Sequence, residues 1–163
     1  MPVDTDRIRK TKLLHAPVER VWAAISDARQ FGTWFGAEFE GPFVAGARVG
    51  ARIVPTKVDA EVAKLQESHA GVPFEVVVER VDPMRRLSFR WRPYPVEQED
   101  PASAPTTLVE FELAEAPNGT MVTITESGFD GVPLDKRADA FKGNEEGWAH
   151  QVRLLETYLV QRA

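Results

Sequence analysis

The sequence predicts an α+β fold, an antiparallel sheet curled around one long C-terminal helix, on three observations. Roughly six short segments of strand-like alternation, separated by Gly, Pro and Asn turns, fill the middle of the chain. A helical pattern then runs from Leu134 to Gln161. Each inner strand face needs cover, and this last segment alone is long enough to lie across a whole sheet.

The elements follow in order. RIRKTKLLH (7 to 15) reads as a strand of mixed polarity, and APVERVWAAISDA (16 to 28) as a first helix. Pro17 suits a first helical turn, Glu19 complements the helix dipole, and Val18, Val21, Trp22 and Ile25 fall on one face. QFGTWF (30 to 35) adds a short second helix. From Phe39 the period changes to two, with Val49, Ala51 and Ile53 on one parity and Arg48 and Arg52 on the other. The stretch from 54 to 71 reads as a short helix behind an Asp59 cap or as a mobile loop, since Val58, Val62 and Leu65 sit at helical spacing. FEVVVERV (74 to 81) turns at Asp82-Pro83 into RLSFRWRP (86 to 93), where Leu87, Phe89 and Trp91 share a face. An exposed, proline-containing loop (96 to 105) is expected next. TTLVEFELA (106 to 114) and TMVTITESG (120 to 128), joined by APNG, are expected to pair as a hairpin, so the Asn118-Gly119-Thr120 sequon reads as a turn.

A chain of 163 residues with 43% hydrophobic and 28% charged residues has the size and composition of one globular domain. No apolar run approaches the ~20 residues of a membrane span, and the first residues carry no secretory pattern, so a cytoplasmic location is expected. The absence of cysteine excludes disulfides, thiolate metal sites and thiol nucleophiles. A formal charge of -5 argues against a nucleic-acid partner, which needs a basic stripe. Arg90 and Arg92 read as outer positions of a strand. His15, His69 and His150 are too scattered to hold a metal, and no nucleophile elbow or phosphate-binding glycine loop occurs. Hence no cofactor, metal or catalytic set is expected.

The informative residues are polar ones on apolar faces. Phe141, Asn144, Glu145, Trp148, Val152, Leu155 and Leu159 form one stripe of the last helix, flanked by Gly147 and Gln151. Glu126 shares parity with Val122 and Ile124, and Arg80 shares it with Val76 and Val78. Such groups are either paired inside the core or placed around an apolar pocket that holds a few convergent polar atoms. A glycine in a helix costs about 1 kcal/mol relative to alanine. Gly147 is therefore expected to bring the helix axis close to the strands, with Trp148 reaching along the adjoining face.

HAPVERVWAAISD, FGTWF, GPFVAGARVG, FEVVVERVDPMRRLSFRW and TTLVEFELAEAPNGTMVTITESGFDGVP, followed by the Gly-Trp pair of the last helix, occur in an order and spacing that resemble the activator of heat-shock protein 90 ATPase-like family. This family lies within the START-like, helix-grip superfamily known as SRPBCC. The resemblance covers nearly the whole chain. It implies one domain over residues 1–163, with six or seven strands gripping the C-terminal helix and two short helices after the first strand. It also implies a cavity between sheet and helix for a lipid, sterol, polyketide or other hydrophobic molecule. By position, Trp91, Phe111, Glu126, Asn144, Glu145, Trp148 and Val152 line that cavity, Trp34 and Phe35 stand near its mouth, and the segment 55 to 72 is a candidate lid. Three functions are in play: binding of such a ligand, cyclase or hydrolase chemistry upon it, and protein interaction. The family carries no universal catalytic set, which favours binding. Co-chaperones of this type use an additional N-terminal domain to engage the chaperone, so a chaperone partner is the lesser expectation. A homodimer is compatible with all three.

Overall fold

The computed structural model describes residues 7–92 and 106–161. The elements are β1 (Arg7–Leu14), α1 (Val18–Ser26), α2 (Ala28–Phe35), β2 (Ala37–Phe39), β3 (Arg48–Ile53), α3 (Ala60–Glu67), β4 (Pro73–Asp82), β5 (Arg86–Trp91), β6 (Thr107–Ala116), β7 (Gly119–Ser127) and α4 (Leu134–Gln161). A single 3-10 turn, Phe129–Gly131, leads into α4. The expected loop at 96–105 lies outside the described residues.

Seven strands form one antiparallel sheet in the order β1-β7-β6-β5-β4-β3-β2, and the α+β architecture is the one expected. Sequential hairpins account for most of this order, and only β1 crosses over to pair with β7, from Arg7↔Ser127 to Leu14↔Thr120. The β6–β7 hairpin closes at Ala116↔Gly119. Gly119 is required there by space, because an added Cβ would stand 2.0 Å from the Leu14 carbonyl oxygen. Gly36 is required by conformation: with φ 97 it ends α2 in the left-handed region, its N–H bonding the Gly32 carbonyl at 2.9 Å.

The helices form where local chemistry supports them. Val18, Val21, Trp22 and Ile25 are all buried, as the periodicity of α1 predicts. Asp27 caps α2 by accepting from the Arg29 N–H at 3.0 Å. Asp59 caps α3 in the same way, through the Glu61 and Val62 N–H groups. That cap settles the two readings of the 54–71 segment in favour of a helix. Two further bonds tie α3 down, since Gln66 accepts from the Thr56 N–H and donates to the Phe35 carbonyl.

The core lies between the inner sheet face and α1, α2 and α4, with Val109, Phe111, Val122 and Ile124 from the sheet and Leu155 from α4 all essentially inaccessible. Two expectations about this core are corrected. Arg80 faces out and pairs with Asp82 at 2.9 Å, because a bulge between Val78 and Arg80 shifts the β4–β5 register and reverses parity. Gly147 makes no close approach: among the described residues nothing lies within 4 Å of the position its Cβ would take.

Candidate functional site

Three neighbouring strands and α4 converge on the carboxylate of Glu126. Inner parity on β7 sends this side chain into the core, where it has no exposed surface. In the register, Glu126 stands opposite Val109 on β6, which makes Thr107 its diagonal neighbour. Thr107 in turn faces Trp91 across the β5–β6 pair. From the other side, Asn144 and Trp148 arrive one helical turn apart on the same face of α4.

All four of these residues donate to Glu126. Oε1 accepts from the Trp148 indole N–H at 2.8 Å and from the Asn144 amide at 3.1 Å. Oε2 accepts from the Trp91 indole N–H at 2.8 Å, from the same Asn144 amide at 3.1 Å, and from the Thr107 hydroxyl. A carboxylate offers about four lone-pair sites. These contacts therefore use its accepting capacity, and Glu126 in this arrangement has no lone pair to spare as a general base. Each of these donors is neutral, and among the described residues no lysine, arginine or histidine bonds to it. Taking a carboxylate out of water costs several kcal/mol even after relaxation. Here that cost is offset by hydrogen bonds alone.

Aromatic rings surround the knot. The indoles of Trp91 and Trp148 stack at 5.6 Å with 27° between their planes, both N–H groups turned toward Glu126. Phe35 contacts both indoles, at 6.0 and 6.1 Å, and Phe111 meets Trp148 edge-on at 5.8 Å. Where the sequence leads one to expect space between the helix and the sheet, these rings occupy the interface. Among the described residues, open clefts lie elsewhere, at the far end of the strands. One of about 680 Å³ is bordered by Arg80, Met84, Arg85 and Leu113, and one of about 420 Å³ by His15, Pro17 and Asn118.

Of the residues assigned to the cavity from the sequence, Trp91, Phe111, Glu126, Asn144 and Trp148 meet at the knot, and Phe35 borders it. Trp34 is wholly buried instead of standing at a mouth; its indole donates to the Ala24 carbonyl at 2.9 Å and its ring packs on Phe31. Val152 is buried one turn beyond Trp148. Glu145 is exposed, because a step of about 100° from Asn144 carries it off the inner face. Thr107 joins the set although its sequence does not mark it. Its parity with Val109 and Phe111 points it inward, but a threonine in a strand is commonplace. Among the described residues no helix is long and apolar enough to cross a membrane.

Comparison with solved structures finds the same fold repeatedly. Protein MLL2253 from Mesorhizobium loti superposes with a TM-score of 0.71 at 23% identity, over 96% of this chain and 98% of that one. DynU16, a putative protein in the dynemicin biosynthetic locus, gives 0.66 at 26% identity over 94% of this chain, which spans 47% of DynU16. The Aha1 dimer from Colwellia psychrerythraea gives 0.66 at 17% identity, over 92% of each chain. Comparison with curated proteins gives no match. The chain that folds into this seven-stranded sheet and long last helix is matched over residues 15–160 by one family model, and it belongs to the Activator of Hsp90 ATPase homolog 1-like protein family.

Proposed function

We propose that this chain binds a small hydrophobic or aromatic molecule, of lipid, sterol or polyketide-like type, between the sheet and α4 at the Trp91–Trp148 stack. The observation that carries this reading is the buried Glu126 knot. A carboxylate set among aromatic rings, with donors drawn from two strands and a helix, is costly as mere filling, and a core in which it and its donors were all apolar would avoid that cost. It has the composition of a ligand pocket, apolar walls with a few convergent polar atoms. Trp91, Phe35 and Asn144 are only half-buried, so the knot has an outward side. Because the rings are in contact, the ligand makes room by parting the indole stack. Membership of a family whose fold commonly binds ligands supports this reading, as does the likeness to a protein of a biosynthetic locus.

Binding is favoured over cyclase or hydrolase chemistry by the saturation of Glu126, which leaves it no free lone pair. The likeness to the Aha1 dimer supports a homodimer, to be checked by light scattering.

The test is a thermal-shift and tryptophan-fluorescence screen against fatty acids, sterols and flavonoid-like compounds. A true ligand raises the melting temperature by mass action. It also changes indole emission as the stack opens. If no compound moves either signal at saturation, the reading is wrong.

A further inference from the structure

Resting on that reading, we infer that the ligand is a cation, an aromatic or apolar body bearing a protonated amine, and that the site discriminates against the corresponding acid. Glu126 is fully buried and, among the described residues, meets only neutral donors. A neutral ligand that displaced one of them would exchange one neutral hydrogen bond for another. An ammonium group would add what the protein leaves out, a full opposite charge in a medium of low dielectric constant, where charge-assisted bonds are roughly twice as strong. A ligand carboxylate would meet a like charge in the same medium.

Gln151 supplies a second and independent observation. Its amide N–H donates to the Phe35 carbonyl at 3.0 Å, while its Oε1 is buried with no partner, alone in this among the side chains of the described residues. Gln151 follows Trp148 by three positions on α4, which places the two as neighbours on one side of the helix. Near the same indole, then, stand a carboxylate whose hydrogen bonds carry no compensating charge and an acceptor with no donor, and a cationic donor answers both. An ammonium group offers three N–H donors and no acceptor. The formal charge of -5 steers cations to the molecule in the same sense.

The experiment is calorimetric titration of the unmodified protein with a matched trio, 2-naphthylmethylamine, 2-naphthylmethanol and 2-naphthoate, at neutral pH and moderate salt. The inference predicts the amine tightest, the alcohol intermediate, and the amine preferred to the acid by at least about tenfold. Equal binding of amine and acid, or tighter binding of the acid, overturns it while leaving the site a ligand site. If none of the three binds and the broader screen is also silent, the proposed function fails with it. Two variants localise the effect, each checked for a cooperative melt. Glu126→Gln should erase the preference between amine and acid, and Gln151→Leu should weaken the amine by a few fold while leaving the acid unchanged. A preference that survives in a folded Glu126→Gln protein overturns the inference without reference to the wild-type result.

Discussion

One sheet carries carboxylates on both faces and treats them in opposite ways. On the outer face Glu79 meets Arg90 at 2.7 Å, Glu75 meets Arg48, and Glu110 and Glu112 share Arg86 at 3.8 and 3.3 Å. These pairs link β3 through β6 across the strands, and the Glu79 and Arg90 side chains are 41% and 44% exposed. On the inner face Glu126 has no exposed surface and, among the described residues, no charged partner. Water makes the outer pairs cheap to form and cheap to lose. Its exclusion makes the inner hydrogen bonds expensive to lose, because each abandoned donor keeps its desolvation cost. The difference separates charge that keeps a surface wet from charge held by hydrogen bonds in the dry interior.

The comparison breaks most severely at Glu126→Leu. Two indole N–H groups, fixed by the packing of their rings, would be left without acceptors, at about 1–3 kcal/mol each. The expected loss is about 2–6 kcal/mol, seen as a large fall in the midpoint of chemical denaturation. Adding Trp148→Phe to that background should recover part of it by removing one stranded donor. No recovery would mean that Glu126 acts through its bulk and not through its hydrogen bonds.

Trp148→Phe alone comes next. It keeps most of the ring and deletes a hydrogen bond to a charged group, for which about 1.5–3 kcal/mol is expected. Its second readout is fluorescence. With the Trp91–Trp148 stack gone, the remaining indole of Trp91 should emit as a half-exposed one.

How much of this was legible in the sequence depended on whether a local rule met an irregularity. Period-two parity placed Glu126 inward correctly, because β7 runs through regular pairing with both neighbours. The same rule failed for Arg80, two residues past Val78, because a bulge intervenes and sequence alone does not announce one. On α4 the 100° step was too coarse to separate Asn144 from its neighbour Glu145, and only the first turns inward to bond. Trp34 was misplaced for another reason. An aromatic at the end of a short helix has no periodicity long enough to tell rim from core, and its bond to Ala24 ten residues earlier is tertiary information. The order of the elements along the chain and the length of the last helix, by contrast, depend on patterns sustained over many residues, and they emerged as expected.

Gly147→Ala sharpens the inner half of the comparison with a change of opposite sign. Since nothing among the described residues would contact the new methyl group, the substitution should stabilise by about 0.5–1 kcal/mol through helix propensity. A gain in melting temperature accompanied by weaker ligand binding would show that the open space beside Trp148 serves the ligand. A gain with unchanged binding would make Gly147 dispensable, and a loss of stability would refute the observed clearance.

The smallest effect is expected on the outer face. In a double-mutant cycle, Arg90→Ala and Glu79→Ala should couple by only about 0.2–1 kcal/mol, because the pair is exposed and holding two long side chains in one geometry offsets its Coulomb attraction. The coupling should shrink further in high salt, which screens exposed charges over about a Debye length. Replacing the Glu126 hydrogen bonds in a parallel cycle, Asn144→Ala against Glu126→Gln, should give a coupling that salt leaves nearly untouched, since Asn144 is neutral and the Glu126 carboxylate has no exposed surface. If the two cycles responded to salt alike, the inner carboxylate would be as wet as the outer ones, and there would be no dry charge for a cationic ligand to neutralise.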